Sequence, residues 1–175
     1  METQTVRPTG QSSPTSSKSL FKRLLVALDG SENSARASQA AIELAGRLKA
    51  DLIVLHAITP PALYYHTEIS PEGPVIEPPT HEKEIDLYLE YARRVGRGIV
   101  DPTVSEAKKR GIAVKADLPE ATTSVVETIV NQAVKENADL IIVGTRGLGG
   151  FKKLLLGSVS SGVVDHAHCP VLVIR

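Results

Sequence analysis

The chain has 175 residues and a mass of 18.7 kDa, the size of one domain, and its 20 basic and 20 acidic residues give a formal net charge of zero. Balanced charge argues against a surface built as a whole to attract nucleic acid or an anionic membrane, although it leaves room for a small local anion site. The single cysteine, Cys169, excludes an internal disulfide and a zinc site of the multi-cysteine type.

Neither the N-terminal segment nor the rest of the sequence has the pattern of a membrane span. Residues 1–20 are polar and rich in Ser and Thr, and no run in the sequence reaches the roughly 18–20 apolar residues that cross a bilayer. We expect residues 1–20 to be a flexible tail, with an organelle transit peptide as the alternative, and we expect a cytoplasmic protein.

Apolar runs alternate with amphipathic segments along the rest of the chain. The runs at 24–28 and 52–58 predict two buried strands, and the segment 31–49 between them predicts a helix that Ser31 caps. Further strands are expected at 112–116, 139–143 and 170–174, and further helices at 81–110, 122–137 and 158–167. This order predicts a Rossmann-like α/β fold: a single open five-stranded, doubly wound parallel sheet with helices on both faces.

Two segments interrupt the regular pattern. Residues 59–80 hold six of the eleven prolines, which excludes regular helix and central strand, so we expect a proline-rich loop that is either a variable surface excursion or a functional cover. In the helix 81–110, Asp101-Pro102 predicts a kink or a restart, and Gly96 and Gly98 weaken the middle. Its expected inner stripe is Ile85, Leu89, Ala92, Val95 and Ile99.

A glycine-rich segment, residues 144–162, follows the fourth predicted strand and runs into a helix. Ligands of open α/β sheets bind at the carboxyl ends of the strands, and glycines there let backbone N–H groups converge on a phosphate. Gly157-Ser158 opens the helix, whose N-terminus favours an anion, and the hydroxyls of Ser158 and Ser160 can add hydrogen bonds. Nearby mobile positive charge would come from Arg146, Lys152 and Lys153.

Two common phosphate-binding motifs are absent from the sequence. No string has the P-loop spacing, and neither the turn after the first strand nor Gly147-Leu-Gly149-Gly-Phe-Lys152 completes the dinucleotide fingerprint. On glycine content alone, a connecting loop without a ligand explains the segment equally well.

The spacing Gly144-x2-Gly147-x9-Gly157-Ser158 resembles the nucleotide-binding pattern of the universal stress protein family. Residues 26–31, 138–147 and 164–175 resemble that family's first strand, fourth strand and C-terminal end, in the same order. The resemblance covers a domain from 21 to 175, excludes the tail and the loop 59–80, and implies a fold of the adenine nucleotide alpha hydrolase-like type.

The ATP-binding branch of the family implies a set of contacts with ATP. Asp29 would approach the nucleoside beside Ala27 and Leu28, and Ala57 would meet the adenine through its backbone. The ribose and phosphates would follow Gly144, Arg146 and Gly147, and the phosphates would lie at Gly157, Ser158, Val159 and Ser160. Mg²⁺ would sit mainly on phosphate oxygens and water, so no protein metal ligand is assigned, although Asp29 is the best candidate.

Several residues have a structural alternative to a functional role. Asp29 could instead cap the first helix beside Ser31, and His56 could be a satisfied core histidine or a catalytic base. His166, His168 and Cys169 suggest either metal or nucleophilic chemistry or a structural turn. Tyr64 and Tyr65 could cover a bound base or simply be exposed.

The resemblance implies a nucleotide-dependent regulator of the stress response that acts as a homodimer through the strand 171–174. A weak ATPase or phosphotransferase is the enzymatic alternative, and no catalytic residue is assigned because neither a Walker-type Lys nor an Asp–Asn catalytic loop is visible. A protein-interaction module that needs no nucleotide is the third hypothesis. No nucleic acid or membrane partner is expected.

Overall fold

A computed structural model of the protein describes residues 20–60, 66–70, 73–77, 82–145, 147 and 156–175. Its strands are β1 (Arg23–Ala27), β2 (Asp51–Leu55), β3 (His66–Ser70), β4 (Gly73–Glu77), β5 (Val114–Asp117), β6 (Leu140–Gly144) and β7 (Val171–Ile174). Its helices are α1 (Glu32–Leu48), α2 (Glu82–Lys109), α3 (Val125–Lys135) and α4 (Ser158–His166). None of these helices combines the length and apolar character that a membrane span needs. Residues 1–19 of the predicted tail, and the candidate residues Tyr64, Tyr65, Arg146, Lys152 and Lys153, lie outside the described residues.

Five strands form one sheet in the order β5-β2-β1-β6-β7, and every neighbouring pair is parallel. From β1 the chain winds outward through β2 to β5, and then returns to the other side of β1 for β6 and β7. The predicted doubly wound α/β fold is therefore confirmed.

Both faces of the sheet are buried, as the continuous apolar runs predict. Leu24 and Val26 face the layer that contains α1 and α2, while Leu25 between them faces the layer of α3 and α4. Aliphatic residues and alanines make up both layers of fully buried residues, in agreement with the low aromatic content.

The proline-rich segment contains an antiparallel pair, β3 and β4, that forms a sheet of its own. Pro74 lies within β4 opposite Ile69. Proline is tolerated in such a pair because each of the two strands has an edge on which no N–H is required. The sequence pattern excluded a central strand here but did not anticipate this local hairpin.

Helix α2 runs without interruption from Glu82 to Lys109 and contains Pro102, so the expected restart at Asp101-Pro102 is wrong. The predicted inner stripe of α2 is correct except at Val95: Ile99 packs against the core, and Ile85, Leu89 and Ala92 are half-buried. Val95 is 45% exposed, whereas the neighbouring Gly96 is buried against the sheet edge. Farther along, the inward face carries Val100, Thr103 and Ala107.

Candidate functional site

The order of the strands creates a switch point between β1 and β6, where the direction of winding reverses. Ala27 ends β1, and Leu28 and Asp29 follow it; Gly144 ends β6. Ala57 follows β2, the neighbour of β1 on the other side. Parallel strands bring these carboxyl ends to one edge of the sheet, the usual place for a ligand in such a fold.

Asp29 lies between two backbone segments of this edge. Its Oδ1 accepts a hydrogen bond from the Ser31 N–H at 3.0 Å, so the carboxylate stabilises the turn before α1. A side chain at Gly147 would overlap Asp29 Oδ2. The N-cap of α1 is Ser31, whose side chain accepts from the Ser34 N–H, and the Asp29 carboxylate both holds the turn before this cap and lies against Gly147.

Gly144 allows β6 to approach the beginning of α1 closely. A Cβ atom at this position would be 2.9 Å from the Asn33 carbonyl carbon and 3.0 Å from the Asn33 oxygen. Because these are backbone atoms of a helix, they cannot move aside easily, and only glycine fits without a shift.

Helix α4 begins at this edge with an N-terminus that no side chain of the described residues caps. The N-cap residue is Gly157, and its carbonyl already accepts from the Ser161 N–H at 2.9 Å. By contrast, α1 is capped by Ser31 and α3 by Ser124, each with an acidic residue in the first turn. The first turn that contains the amides of Ser158, Val159 and Ser160 therefore has no acidic residue of its own and no side-chain cap among the described residues.

The hydroxyl of Ser160 points back to the protein and not outward. It is buried and donates to Thr145 O at 2.9 Å and to Gly157 O at 3.0 Å. The Gly157 N–H also donates to Thr145 O, at 2.7 Å. Ser160 thus fixes the start of α4 to the end of β6, whereas Ser158 is exposed.

The third part of the site lies at the ends of β1 and β2. The Leu28 side chain is buried in the core, so that residue can offer only its backbone to a ligand. The Leu28 carbonyl is 2.8 Å from His56 Nδ1, which agrees with the structural interpretation of His56. Ala57 is half-buried beside this contact.

His166 ends α4, and His168 and Cys169 lie in the bend that leads to β7. His166 Nδ1 lies 2.8 Å from the Gly162 carbonyl, one turn earlier in α4. Burial raises the pKa of the Cys169 thiol, and the negative charge of Asp139 raises it further. A raised pKa keeps the thiol protonated, which is the opposite of nucleophilic activation. Among the described residues, no group of three or more His, Cys, Asp or Glu side chains could hold a metal ion.

Two residues of this edge escaped the sequence analysis. Thr145 accepts both hydrogen bonds from α4, and its own N–H donates to Ile174 O at 2.7 Å. Asn33 provides the backbone against which Gly144 packs. Thr145 bonds through its backbone, and the sequence carries no signal for such a role.

Comparisons with known proteins agree with this arrangement. The model of the universal stress protein family matches residues 20–175. Universal stress protein YxiE of Bacillus subtilis is 35% identical over 156 residues, which are 89% of this chain and 100% of that protein. The universal stress protein UspA from Lactobacillus plantarum has a TM-score of 0.71 at 25% identity, and the match covers 89% of this chain and 98% of that one.

A universal stress protein from Archaeoglobus fulgidus, solved in complex with dAMP, shares the fold with a TM-score of 0.55 at 20% identity. That match covers 89% of this chain and 99% of the archaeal one. The fold, the glycine–serine spacing and the nearly full-length match to the family model lead to one conclusion. This chain belongs to the universal stress protein family.

Proposed function

We propose that the domain 21–175 binds ATP at the carboxyl edge of the sheet and acts as a nucleotide-dependent regulator of the stress response in the cytoplasm. The observation that carries the proposal is the N-terminus of α4. Among the described residues, no side chain caps its first-turn amides. The N-cap residue Gly157 donates to the Thr145 carbonyl, so this N-terminus lies at the switch point of the sheet. Such an N-terminus favours a phosphate both by hydrogen bonds and by the helix dipole.

The remaining parts of the edge suit the remaining parts of the nucleotide. Asp29 and Gly147 offer a carboxylate and an exposed backbone for the ribose, and Ala57 offers backbone groups for the adenine. Arg146 adds a positive charge in the sequence between Gly144 and Gly147. The related fold that was solved with dAMP supports an adenine nucleotide as the ligand.

The residues at this edge would hold Mg²⁺ only together with the bound nucleotide. Mg²⁺ prefers oxygen ligands and keeps several waters, so phosphate oxygens would hold it, with Asp29 as the carboxylate at this edge. The protein would contribute binding and orientation of the phosphates, and the proposal contains no hydrolytic step.

The proposal is tested by thermal unfolding with and without ATP and Mg²⁺. At ten times the dissociation constant, ATP adds about 1.4 kcal/mol of stability, which corresponds to a rise of about 3–6 °C in Tm for a domain of this size. The variant Gly157→Asp places a carboxylate at the N-cap of α4. That carboxylate can cap the helix, so the Tm without nucleotide is expected to stay equal or rise, while repulsion of phosphate removes the shift.

The matched control is Ser124→Asp, which puts the same charge at the exposed N-cap of α3. This variant should keep the full ATP-dependent shift. An unchanged Tm of the wild type at millimolar ATP, or an equal shift in Gly157→Asp, would contradict the proposal.

We also propose a homodimer that pairs the β7 strands of two copies. β7 is the last strand of the sheet, and its four residues are all apolar and only half-buried. An apolar edge strand is prone to pairing with another chain, and a two-fold arrangement closes both edges at once.

A further inference from the structure

At the end of the ladder between β1 and β2, a side-chain donor replaces a backbone donor. The register continues from the pair Ala27–Leu55, and the Leu28 N–H donates to Leu55 O at 2.8 Å. In a regular parallel ladder the next bond would run from the Ala57 N–H to Leu28 O. Leu28 O is instead bonded to His56 Nδ1 at 2.8 Å, and among the described residues no backbone hydrogen bond involves Ala57.

The two residues that flank Ala57 in the sequence form backbone hydrogen bonds on the side of β5. The N–H groups of His56 and Ile58 donate to Asp117 O and Pro119 O, at 3.0 Å and 2.8 Å. Because backbone groups alternate along an extended segment, those of Ala57 point the opposite way, toward the side of β1. Ala57 therefore presents a donor and an acceptor at the edge where the nucleoside is proposed to lie.

Gly96 in α2 makes room for the imidazole ring of His56, which supplies the side-chain donor to Leu28 O. A Cβ atom at Gly96 would be 2.9 Å from His56 Cδ2 and 2.5 Å from Leu118 Cδ2. A Cβ atom at Gly98, two residues farther along the helix, would have nothing within 4 Å. The imidazole is thus fixed by a hydrogen bond on one side and by a glycine on the other.

We propose that His56 is the positioning residue for adenine: by donating to the Leu28 carbonyl, it leaves the Ala57 backbone available to the base. Since a carbonyl only accepts, the ring carries its proton on Nδ1. The Ala57 N–H then donates to adenine N1, and the Ala57 carbonyl accepts from the N6 amino group. Guanine has N1–H and O6 at the corresponding positions, so the same backbone groups reject it. This inference rests on the proposed ATP binding.

The first test measures amide hydrogen exchange by NMR in the full chain without nucleotide. In the wild type, the Ala57 amide is expected to exchange much faster than that of Ile58, which is hydrogen-bonded. The variant His56→Phe keeps an aromatic ring beside Gly96 but has no donor, so Leu28 O becomes available to Ala57. Exchange of the Ala57 amide should then slow by about tenfold, as one hydrogen bond of ordinary strength would do.

The conservative variant His56→Asn has an amide N–H near the place of Nδ1 and should restore fast exchange. Gly96→Ala crowds the ring and should act like His56→Phe, whereas Gly98→Ala, in the same helix, should behave like the wild type. A purely structural role of His56 would not separate the Phe variant from the Asn variant in this way.

The second test measures the affinities for ATP and GTP by calorimetry. His56→Phe should weaken ATP binding by about tenfold with little effect on GTP, and His56→Asn should retain the preference for ATP. A wild type that binds no ATP would overturn the proposed function, and the exchange data would still decide whether His56 controls the Ala57 amide. Slow exchange of Ala57 in the wild type, or exchange that His56→Phe leaves unchanged, would overturn the present inference.

Discussion

At the scale of single residues, the shape of the candidate site depends on close approaches between backbones. Gly144 meets the backbone of Asn33, and Gly147 meets the Asp29 carboxylate. Glycine content alone left a connecting loop without a ligand equally possible, and the resemblance of the glycine spacing to the universal stress protein pattern indicated the candidate site. The direction of the Ser160 hydroxyl was not visible, since a serine in the first turn of a helix can bond either to backbone or to a ligand.

Glu136 illustrates how a single charge contributes to stability away from the site. Its Oε2 lies 2.5 Å from Lys115 Nζ, and the side chains of Glu136 and Lys115 are 17% and 52% exposed. The hydrogen bond from Lys115 lowers the pKa of Glu136 from the ordinary value of 4.5, against the opposing effect of burial. The ion pair is therefore complete above about pH 4.5 and is lost as the pH falls through the lowered pKa.

We expect Glu136→Gln to lower the free energy of unfolding at pH 7 by about 0.5–1 kcal/mol, the range of a partly exposed pair. The difference from the wild type should shrink as the pH falls from 4.5 through the lowered pKa of Glu136, because below that pKa both proteins carry a neutral side chain. Urea unfolding at several pH values measures this. Glu43→Gln, which removes the exposed pair with Arg47 in α1, is the control and should cost less than about 0.5 kcal/mol. A loss that does not depend on pH would refute the assignment.

At the scale of elements, the order and type of the five sheet strands and four helices could be predicted from the sequence. Long apolar runs and a capping serine are local signals, and Ser31 does cap α1 as predicted. Ser124 caps α3, whereas the prediction began that helix at residue 122. The inward face of α2 could be predicted only in part. Gly96 carries no hydrophobic signal although it faces His56, so the apolar pattern assigned the inward position to Val95 instead.

Pro102 is an exposed interior residue of α2, and it should make the helix less stable than its length suggests. Proline has no N–H to donate to the carbonyl of Gly98, four residues earlier, and its ring crowds that carbonyl. The expected restart failed because the flanking turns are anchored by the buried residues Val100, Thr103 and Ala107, whose packing outweighs this local penalty.

Pro102→Ala should therefore raise the free energy of unfolding by about 1 kcal/mol or more, since it restores one helical hydrogen bond and relieves the crowding. The greater freedom of the unfolded chain offsets part of this gain. Chemical denaturation gives the value, and Ser105→Ala on the exposed face of the same helix controls for the general preference for alanine. Destabilisation by Pro102→Ala would show that the proline is required by the fold.

At the scale of the whole molecule, the β7 edge of the sheet is where we propose that two copies pair. Ile141 N–H and Thr145 N–H donate to Pro170 O and Ile174 O, so the even-numbered residues of β7 bond to β6. The backbone groups of Val171 and Val173 consequently face away from the sheet. The association itself could not be derived from the sequence, because an apolar strand at the chain end looks the same whether it is central or at an edge.

Val173→Pro should prevent pairing of the β7 strands, because it removes an outward N–H while leaving the ladder to β6 intact. Light scattering after size-exclusion chromatography should show a dimer for the wild type and a monomer for this variant. Leu172→Pro, one residue away, removes a ladder bond to β6 and should cost considerably more stability. A wild type that is monomeric at high concentration would contradict the proposed dimer.

The backbone of Thr145 connects the helix that is proposed to bind phosphate with the strand that is proposed to form the dimer. Its carbonyl accepts from the beginning of α4, and its N–H donates to Ile174 at the end of β7. We expect that a ligand that holds α4 in place also holds, through this backbone unit, the strand at which two copies would pair. Coupling free energies act equally in both directions, so a nucleotide that favours pairing must be bound more tightly by the paired chains. The apparent affinity for ATP would then rise with the concentration of the protein itself.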